Sequence, residues 1–366
     1  MLFNGSYMKV LMIVNDTNFA WNLRRELLFS IREHGYDTTL LAHKLLFVDD
    51  FLSHGIKLID QPIDRRGTNP FSDIKLFMSY YKILKKERPD IVLSNNTKPN
   101  IYAGIVCSLL KIKYMANVTG LGTSLGNPGK FQKLTIHLYK KGVKKANVLF
   151  FQNSENRKFF EVHNMMPKHA NIVILPGSGV NLDTHPLLDW HDGKIHFLYA
   201  ARIMKEKGID LFLTAARRFA SDDVIFDVCG QCDDPKYLSL LNSEKCIVYH
   251  GLQKDLTPYY EQCSCFLYPS YYPEGMSNVC IEAAACGRPV IAADKAGCRE
   301  TVDDGITGYI IPANDENAII DAVERFLSLS AEQRKEMGIA GRRKMEKEFD
   351  RNIVIDTFIN EMEALF

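Results

Sequence analysis

The sequence has no apolar segment long enough to span a bilayer and no glycine-rich phosphate loop after its first predicted strand. The most apolar run, Ile101–Leu110, stops at Lys111 after ten residues, whereas a transmembrane helix needs about 20. The turn at residues 15–21 contains no glycine, so the G-x-G-x-x-G fingerprint is missing there, and the chain has no Walker A loop. These absences exclude a membrane-spanning protein, a dinucleotide-binding dehydrogenase and a P-loop NTPase.

Disulfide bonds are not expected either. The nine cysteines are an odd number, and eight of them lie between Cys229 and Cys298 on apolar segments, which is typical of a reducing compartment. Cys229 and Cys232 have the spacing of half a zinc site, but no second spaced pair with histidines accompanies them. We therefore expect the cysteines to be small core side chains.

Charge is distributed very unevenly along the 366 residues. Residues 1–180 hold 25 basic and 13 acidic side chains, a net charge of +12, whereas residues 181–366 hold 20 and 31, a net charge of −11. The basic half indicates an anionic partner such as a lipid surface, a phosphate group or a nucleic acid. Solvated lysines together with attraction between two domains would give the same pattern.

Much of the positive charge lies between residues 130 and 145, where six lysines alternate with apolar side chains. On a helix, one side of this segment would carry Phe131, Leu134, Leu138 and Lys141. This arrangement resembles a basic amphipathic helix at a membrane interface, although a core-facing helix would give a similar pattern.

A second amphipathic segment spans residues 74–88. Its apolar residues recur at helical spacing, at Ile74, Phe77, Tyr81 and Leu84. For this segment we expect the ordinary arrangement, in which that side of the helix faces the core.

Strand-like apolar runs alternate with helical stretches along the chain. The predicted strands are 10–14, 38–41, 91–93, 114–118, 148–151, 195–200, 225–228, 246–249, 265–268, 290–292 and 308–311. The predicted helices are 21–33, 73–87, 99–110, 132–145, 208–219, 235–241, 279–286, 316–327, 331–349 and 352–365. This α/β pattern predicts two doubly wound, Rossmann-like domains with parallel sheets, and a ligand site at the carboxyl ends of the strands in the cleft between them.

The most informative segment, residues 269–289, follows a predicted strand in the second half. A turn of proline and glycine leads into a helix that begins near Ser277 or Asn278, both good N-caps. The N-terminus of this helix would attract an anion. Glu274 precedes the helix and Glu282 lies about one turn inside it. Because a carboxylate near an anion needs neutral donors, we expect both glutamates to bind sugar hydroxyls.

A matching motif follows the strand at residues 195–200. Arg202 would bind a phosphate through two parallel hydrogen bonds, and Lys207 would add a point charge. Taken alone, both side chains would more simply be solvated, but with the two glutamates they favour a diphosphate site. The glycine-rich stretch 118–129 also follows a strand and would suit either a phosphate or sugar contact or a flexible loop.

With these residues the chain resembles the retaining family 4 glycosyltransferases of GT-B fold. The resemblance rests on Arg202, Lys207 and two glutamates separated by seven residues, and segments 176–183 and 296–308 also match. Together with the motif Thr119-Gly-Leu-Gly122, it is greatest to bacterial enzymes of O-antigen, capsule and glycan assembly. These bacterial enzymes are similar to transferases that add N-acetylgalactosamine, or a related sugar, to an undecaprenyl-diphosphate-linked sugar.

The resemblance also implies roles for the site residues. Arg202 and Lys207 would hold the donor diphosphate, Glu282 the ribose hydroxyls, and Glu274 the transferred sugar. The backbone that lines the sugar and phosphates would be that of Gly275, Met276, Ser277 and Asn278. Many members carry a histidine near the position of Thr119, so Thr119 and Gly120 are expected to take its place in sugar binding. A glycine pair that many members carry after the first strand is absent here.

The implied partners are a UDP-sugar donor, a polyprenyl-diphosphate-linked sugar acceptor and an anionic membrane surface, but no nucleic acid. No cofactor or metal is implied, and no Asp-x-Asp motif follows a predicted strand at the cleft. Residues 1–180 would hold the acceptor and face the membrane, residues 181–350 would bind the nucleotide-sugar, and residues 351–366 would cross back to the first domain. The protein would be peripheral on the cytoplasmic face of the cell membrane. A nucleotide-sugar epimerase of the same fold and a non-catalytic glycosyltransferase-like subunit are the alternatives.

Overall fold

The computed structural model describes residues 2–3, 6–64, 69–126 and 128–366. Contacts divide the chain into two compact units, one formed by Met1–Ser178 with Val354–Phe366 and the other by Gly179–Ile353. Each unit contains a parallel sheet with hydrophobic clusters on both faces. The predicted α/β class, with two doubly wound Rossmann-like domains, is therefore confirmed.

A short antiparallel pair, β1 (Leu2–Phe3) and β2 (Ser6–Tyr7), precedes the first sheet. The strands of that sheet are β3 (Lys9–Asp16), β4 (Asp37–His43), β5 (Lys57–Asp60), β6 (Ile91–Asn95), β7 (Lys113–Val118), β8 (Val148–Phe151) and β9 (Asn171–Ile174). The helices are α1 (Thr17–Glu33), α2 (Val48–Ser53), α3 (Pro70–Glu87), α4 (Thr97–Leu110), α5 (Gly122–Gly126), α6 (Lys130–Val143) and α7 (Ser154–Val162). The strand order is β5-β4-β3-β6-β7-β8-β9, so the direction of sheet growth reverses between β3 and β6. Ligands of doubly wound sheets bind at this switch point.

The turn after β3 has no room for a glycine-rich phosphate loop. α1 begins at Thr17, directly after the strand, and the Asp16 carboxylate accepts a hydrogen bond from the Phe19 N–H at 2.8 Å. This N-cap joins strand and helix without an intervening residue. No backbone is left at this turn to wrap around a phosphate.

The second unit repeats the same architecture. Its strands are β10 (Ile195–Ala200), β11 (Val224–Cys229), β12 (Val248–Gly251), β13 (Cys265–Tyr268), β14 (Val290–Ala293) and β15 (Gly308–Ile311). Its helices are α8 (Ile209–Phe219), α9 (Pro235–Ser243), α10 (Thr257–Gln262), α11 (Asn278–Ala285), α12 (Glu316–Ser328) and α13 (Ala331–Glu348). The parallel order is β12-β11-β10-β13-β14-β15, which puts the switch point between β10 and β13.

The chain passes between the units twice, after Ser178 and after Ile353. The second passage lies inside α14 (Arg351–Glu363). The apolar residues of this helix complete a core cluster of the first unit: Val354, Ile355, Phe358, Ile359 and Met362. The ring of Phe358 packs against that of Phe150, with centroids 4.3 Å apart.

The predicted strands are all present. Four strands were not predicted, β1, β2, β5 and β9, and one residue of a predicted core-facing stripe is exposed. β5 and β9 are four-residue edge strands that are only half-buried, so their sequences lack a strong apolar signal. The expectation for residues 74–88 was wrong at Ile74, which is 60% exposed. α3 buries Leu76, Tyr80 and the predicted Leu84, and the predicted Phe77 and Tyr81 pack half-buried against the same core.

Among the described residues, no helix is both long and apolar enough to cross a bilayer, and no group of three or more His, Cys, Asp or Glu side chains is arranged to hold a metal ion. The nine cysteines are free thiols, and seven of them are buried. Burial raises the pKa of the Cys263 thiol to about 12, so this thiol stays protonated at neutral pH.

Candidate active site

The predicted site residues of the second unit lie at its switch point. β10 and β13 are neighbouring parallel strands, with Leu198 opposite Phe266. The loop after β10 carries Arg202 and Lys207, and the loop after β13 carries Glu274. Both loops therefore leave the carboxyl edge of the sheet side by side, where a ligand of such a sheet is expected.

A glycine allows the two loops to approach closely. Gly208 adopts a positive φ of 81°, between the 3₁₀ turn Lys205–Lys207 and α8. A Cβ atom at this position would lie 2.3 Å from the Pro269 carbonyl oxygen, far inside van der Waals contact. The Tyr271 N–H then donates to the Glu206 carbonyl at 3.0 Å. Gly208 therefore permits the contact that joins the two predicted motifs.

Lys207, Tyr268 and Glu274 form a compact polar cluster at this junction. The Lys207 ammonium is ion-paired with Glu274 Oε1 and donates to the Tyr268 hydroxyl at 3.0 Å. The Tyr268 hydroxyl donates to Glu274 Oε1 at 3.0 Å. Burial, followed by the charge of Glu274, holds the pKa of Tyr268 well above its usual value, so its hydroxyl remains a donor. Two of the predicted residues are thus brought into direct contact by a tyrosine that the sequence analysis did not identify.

The loop between Glu274 and α11 is held from behind by the segment 296–300. The Ser277 N–H donates to the Gly297 carbonyl at 2.7 Å, and the Gly297 N–H donates to Glu300 at 2.7 Å. Gly297 has a φ of 86°, and a Cβ there would lie 2.8 Å from the Gly275 carbonyl oxygen. This contact gives a structural reason for the glycine in that motif.

The helix that follows this loop begins as predicted. Ser277 is the N-cap residue of α11, but its side chain makes no capping hydrogen bond. The first N–H groups and the positive end of the helix dipole therefore remain for a ligand. Gly275, Met276 and Ser277 are buried, whereas Asn278 is half-buried. The Met276 side chain belongs to the core of the unit, which leaves its backbone for the predicted lining role.

Glu282 and Arg202 are not part of the polar cluster of Lys207, Tyr268 and Glu274. Glu282, on α11, is half-buried and accepts a hydrogen bond from the buried Tyr260 hydroxyl at 3.3 Å. Arg202 is exposed, two residues beyond β10, and forms no hydrogen bond or ion pair with the residues that the structure describes. Each side chain lies on an element next to the switch point, but neither forms a hydrogen bond or ion pair with Lys207 or Glu274 in the part of the chain that the structure describes.

In the first unit, Thr119 and Gly120 follow β7 and lie next to the end of β6. The Asn96 amide donates to the Thr119 hydroxyl at 3.3 Å. Asn96 caps the start of α4 with φ 76° and ψ 161°, a conformation that residues other than glycine rarely adopt. Backbone strain of this kind concentrates at functional sites, and this one lies at the switch point of the first sheet.

A buried polar network that was not predicted from the sequence surrounds Asn95, the last residue of β6. The Arg24 guanidinium donates to Asn95 Oδ1 at 3.0 Å and to the Ser178 hydroxyl at 2.9 Å. The Asn117 amide also donates to Asn95 Oδ1, at 3.0 Å. All four residues are less than 5% exposed. The available signal was a pair of asparagines next to apolar strand segments, Asn95 just beyond the predicted strand 91–93 and Asn117 within 114–118, since buried amides require polar partners.

Comparison with known families matches both halves of the chain. Residues 184–344 match the family model described as glycosyl transferases group 1, and residues 9–153 match the model described as glycosyl transferase 4-like. The chain is therefore a glycosyltransferase, whose second half resembles the group 1 family and whose first half resembles the 4-like family. The predicted enzyme class is therefore confirmed.

Individual relatives cover most of this glycosyltransferase. An N,N'-diacetylbacillosaminyl-diphospho-undecaprenol α-1,3-N-acetylgalactosaminyltransferase from Campylobacter jejuni is 28% identical over 83% of this chain and 85% of its own. A UDP-Gal:α-D-GlcNAc-diphosphoundecaprenol α-1,3-galactosyltransferase from Escherichia coli is 23% identical over 79% and 80%. The capsular polysaccharide biosynthesis glycosyltransferase CapM from Staphylococcus aureus is 25% identical over 82% and 85%.

Solved structures resemble the whole chain. Anabaena HepE, crystallised with UDP and glucose, has a TM-score of 0.80 and covers 98% of this chain and 100% of its own at 13% identity. The pneumococcal O-GlcNAc transferase GtfA, crystallised with UDP and GlcNAc, has a TM-score of 0.70 over 98% and 99% at 14% identity. At these identities the likeness concerns the fold, and the predicted GT-B fold is confirmed.

Proposed function

We propose that this glycosyltransferase moves a sugar, N-acetylgalactosamine or a related hexose, from a UDP-sugar to an undecaprenyl-diphosphate-linked sugar. Transfer would retain the anomeric configuration and would serve the assembly of O-antigen, capsule or a related glycan. The observation that carries the proposal is the cluster of Lys207, Glu274 and Tyr268 at the switch point of the second unit. The names of the Campylobacter and Escherichia coli relatives, whose acceptors are undecaprenyl-linked, support the acceptor class.

The donor would bind at the second unit, with its diphosphate between Lys207 and the N-terminus of α11. A diphosphate at this position competes with Glu274 for the Lys207 ammonium. Glu274 would then be released to accept a hydrogen bond from a hydroxyl of the transferred sugar. Glu282 would accept hydrogen bonds from the ribose, and the backbone of residues 275–278 would line the sugar and phosphates. UDP in the HepE and GtfA crystals supports the nucleotide class.

The chemical step needs stabilisation of the departing diphosphate. As the glycosidic bond breaks, negative charge grows on the leaving oxygen, and Lys207 and Arg202 would neutralise it. Arg202 is exposed at the carboxyl edge and has no partner to give up among the described residues. Loss of one such positive charge should raise the barrier by about 3–4 kcal/mol, or a few hundredfold in rate.

The first unit would hold the acceptor and contact the membrane. Between Asp90 and Glu155 it has no acidic residue but nine lysines. α6 exposes Phe131 and Leu134 together with its lysines, which favours the interfacial interpretation of this helix over the core-facing one. Thr119 and Gly120 of this unit would contribute to sugar binding. The enzyme would act as a peripheral protein on the cytoplasmic face of the membrane.

The test is a screen of UDP-sugars against a short polyprenyl-diphosphate-sugar acceptor, read by mass. We expect one donor to add one hexose or N-acetylhexosamine. Lys207→Ala and Arg202→Ala should each slow transfer a few hundredfold while the protein stays folded. Arg218→Ala is the matched control, because Arg218 is also exposed but lies in the last turn of α8, at the other end of that helix from Lys207. No transfer with any UDP-sugar would refute the proposal, and isomerised donor without acceptor would identify an epimerase instead.

A further inference from the structure

Two helices of the first unit expose apolar side chains near their N-termini. On α3, Phe71 is 81% exposed, Ile74 60% and Met78 45%. On α6, Phe131 is 48% exposed and Leu134 54%. The α3 residues follow one another at helical spacing, so they form a stripe on the side opposite the buried residues of that helix. We call these five residues the apolar rim.

The fold brings both parts of the rim to the same end of the unit. α3 and α6 both pack against α4, on the same face of the sheet. Each ends a few residues before the strand that follows it, at Ile91 and Val148, so each runs antiparallel to the strands. Their N-termini, and with them the apolar rim, therefore lie toward the carboxyl edge of the sheet, where Thr119 and Asn96 are found.

The surroundings of the rim are positive. The two acidic residues of α3 are neutralised, since Asp73 pairs with Lys98 at 2.8 Å and Glu87 pairs with Lys57. The exposed lysines in the first two turns of the two helices, Lys75, Lys130 and Lys133, therefore retain their charge beside the rim. Exposed aromatic and aliphatic side chains among lysines are the pattern of a surface that binds anionic lipid.

We propose that the apolar rim inserts into the headgroup region of an anionic bilayer, with α3 and α6 contributing together. The occupant is a lipid surface, because the excess of lysine complements anionic headgroups and isolated side chains at helix ends suit shallow insertion. Insertion holds the carboxyl edge of the first sheet at the membrane, within reach of a lipid-linked sugar. In this last respect the inference rests on the proposed function.

The test measures binding to vesicles of phosphatidylglycerol and phosphatidylcholine by co-sedimentation, without donor or acceptor. Phe71→Ser combined with Ile74→Ser should lower the partition coefficient on the order of tenfold, since two large apolar side chains no longer leave water. Val162→Ser is the matched control, because Val162 is 67% exposed on α7 of the same unit. Replacing the lysines of α6 by Gln should also weaken binding, more visibly at low salt.

A second measurement reports insertion directly. Phe71→Trp should show a blue shift of the added fluorescence on mixing with anionic vesicles, whereas Val162→Trp should not. Transfer to a short, water-soluble acceptor should be unchanged in the double serine variant.

Three results would overturn the proposal. The wild-type protein would not bind anionic vesicles, the Phe71→Ser/Ile74→Ser variant would bind them as tightly as wild type, or that variant would lose activity on the soluble acceptor. The last would assign these residues to acceptor binding instead. Vesicle binding by a protein that transfers no sugar would support the rim and contradict the proposed function, so the two failures are distinguishable.

Discussion

Replacing Tyr268 by phenylalanine tests whether the polar cluster positions Lys207 for catalysis. The substitution removes one oxygen that accepts from Lys207 and donates to Glu274, each at 3.0 Å. The phenyl ring keeps the packing of this buried residue, and the direct ion pair between Lys207 and Glu274 remains. The change is therefore confined to the geometry of two charged side chains.

The expected loss follows from these contacts. A hydrogen bond to a charged group contributes about 1.5–3 kcal/mol, and part of that loss is offset by the surviving ion pair. We expect a loss of about 2 kcal/mol in transition-state stabilisation, or roughly thirtyfold in kcat/KM. If Lys207 acts on charge that grows during bond breaking, most of the loss should appear in kcat rather than in KM for the donor.

The assay is steady-state kinetics with varied UDP-sugar, together with thermal unfolding of the same variant. Tyr249→Phe is the control, because the Tyr249 hydroxyl donates to a backbone carbonyl, that of Gly230, at 2.9 Å. It should lose some stability and little activity. A Tyr268→Phe enzyme whose kcat stays within about twofold of wild type, with only its melting temperature lowered, would refute the positioning role.

Three further predictions concern the second unit. Glu282→Ala should weaken UDP binding by roughly tenfold in calorimetry, and an unchanged affinity would remove its ribose role. Gly297→Ala should destabilise the protein by about 1–3 kcal/mol in denaturant unfolding, because its Cβ would lie 2.8 Å from the Gly275 carbonyl oxygen. Gly305→Ala is the control. Gly305 has a similar φ of 75° but open space around it, so its substitution measures the cost of the backbone conformation without the steric contact. Burial raises the pKa of Asp227, but hydrogen bonds from two histidines outweigh it and hold the net pKa below its usual value. A depressed carboxyl pKa stabilises the fold above the pKa of the unfolded chain and ceases to do so as the pH falls through the folded pKa. Asp227→Asn should thus lower the free energy of unfolding by about 1–3 kcal/mol at neutral pH, and the difference from wild type should shrink on acidification; a pH-independent difference would contradict the coupling.

The strand pattern of both units was predictable because parallel strands covered on both faces are apolar throughout. β3, whose residues 10–14 are all buried, is an example. The edge strands β5 and β9 were not predictable, because each has only four residues and none of them is fully buried, so the apolar pattern is too weak. Local periodicity correctly placed Phe77, Tyr81 and Leu84 of α3 toward the core but was wrong at Ile74. That helix has two apolar stripes, and its packing against α4, rather than its sequence, decides which one is covered.

The candidate site shows a similar division. Strand-end position and charge indicated Lys207 and Glu274, but nothing in their spacing indicated that they pair with each other. Tyr268 was missed because, as the last residue of a buried strand, it is indistinguishable in sequence from a core aromatic. Asn96 was missed for a different reason: its significance lies in a backbone conformation that appears only when β6 and α4 are both in place.

The helix that returns to the first unit has a consequence for synthesis on the ribosome. The apolar residues of α14 fill a cluster formed otherwise by residues 8–175, so that cluster stays open until residues 354–362 have emerged. During this interval the entire second unit is translated while apolar surface of the first is uncovered. Domains translated early ordinarily close first. Here the core of the first unit is completed only by α14, which is translated last. C-terminal truncations or fusions near residue 354 should therefore destabilise the first unit, although it is translated first.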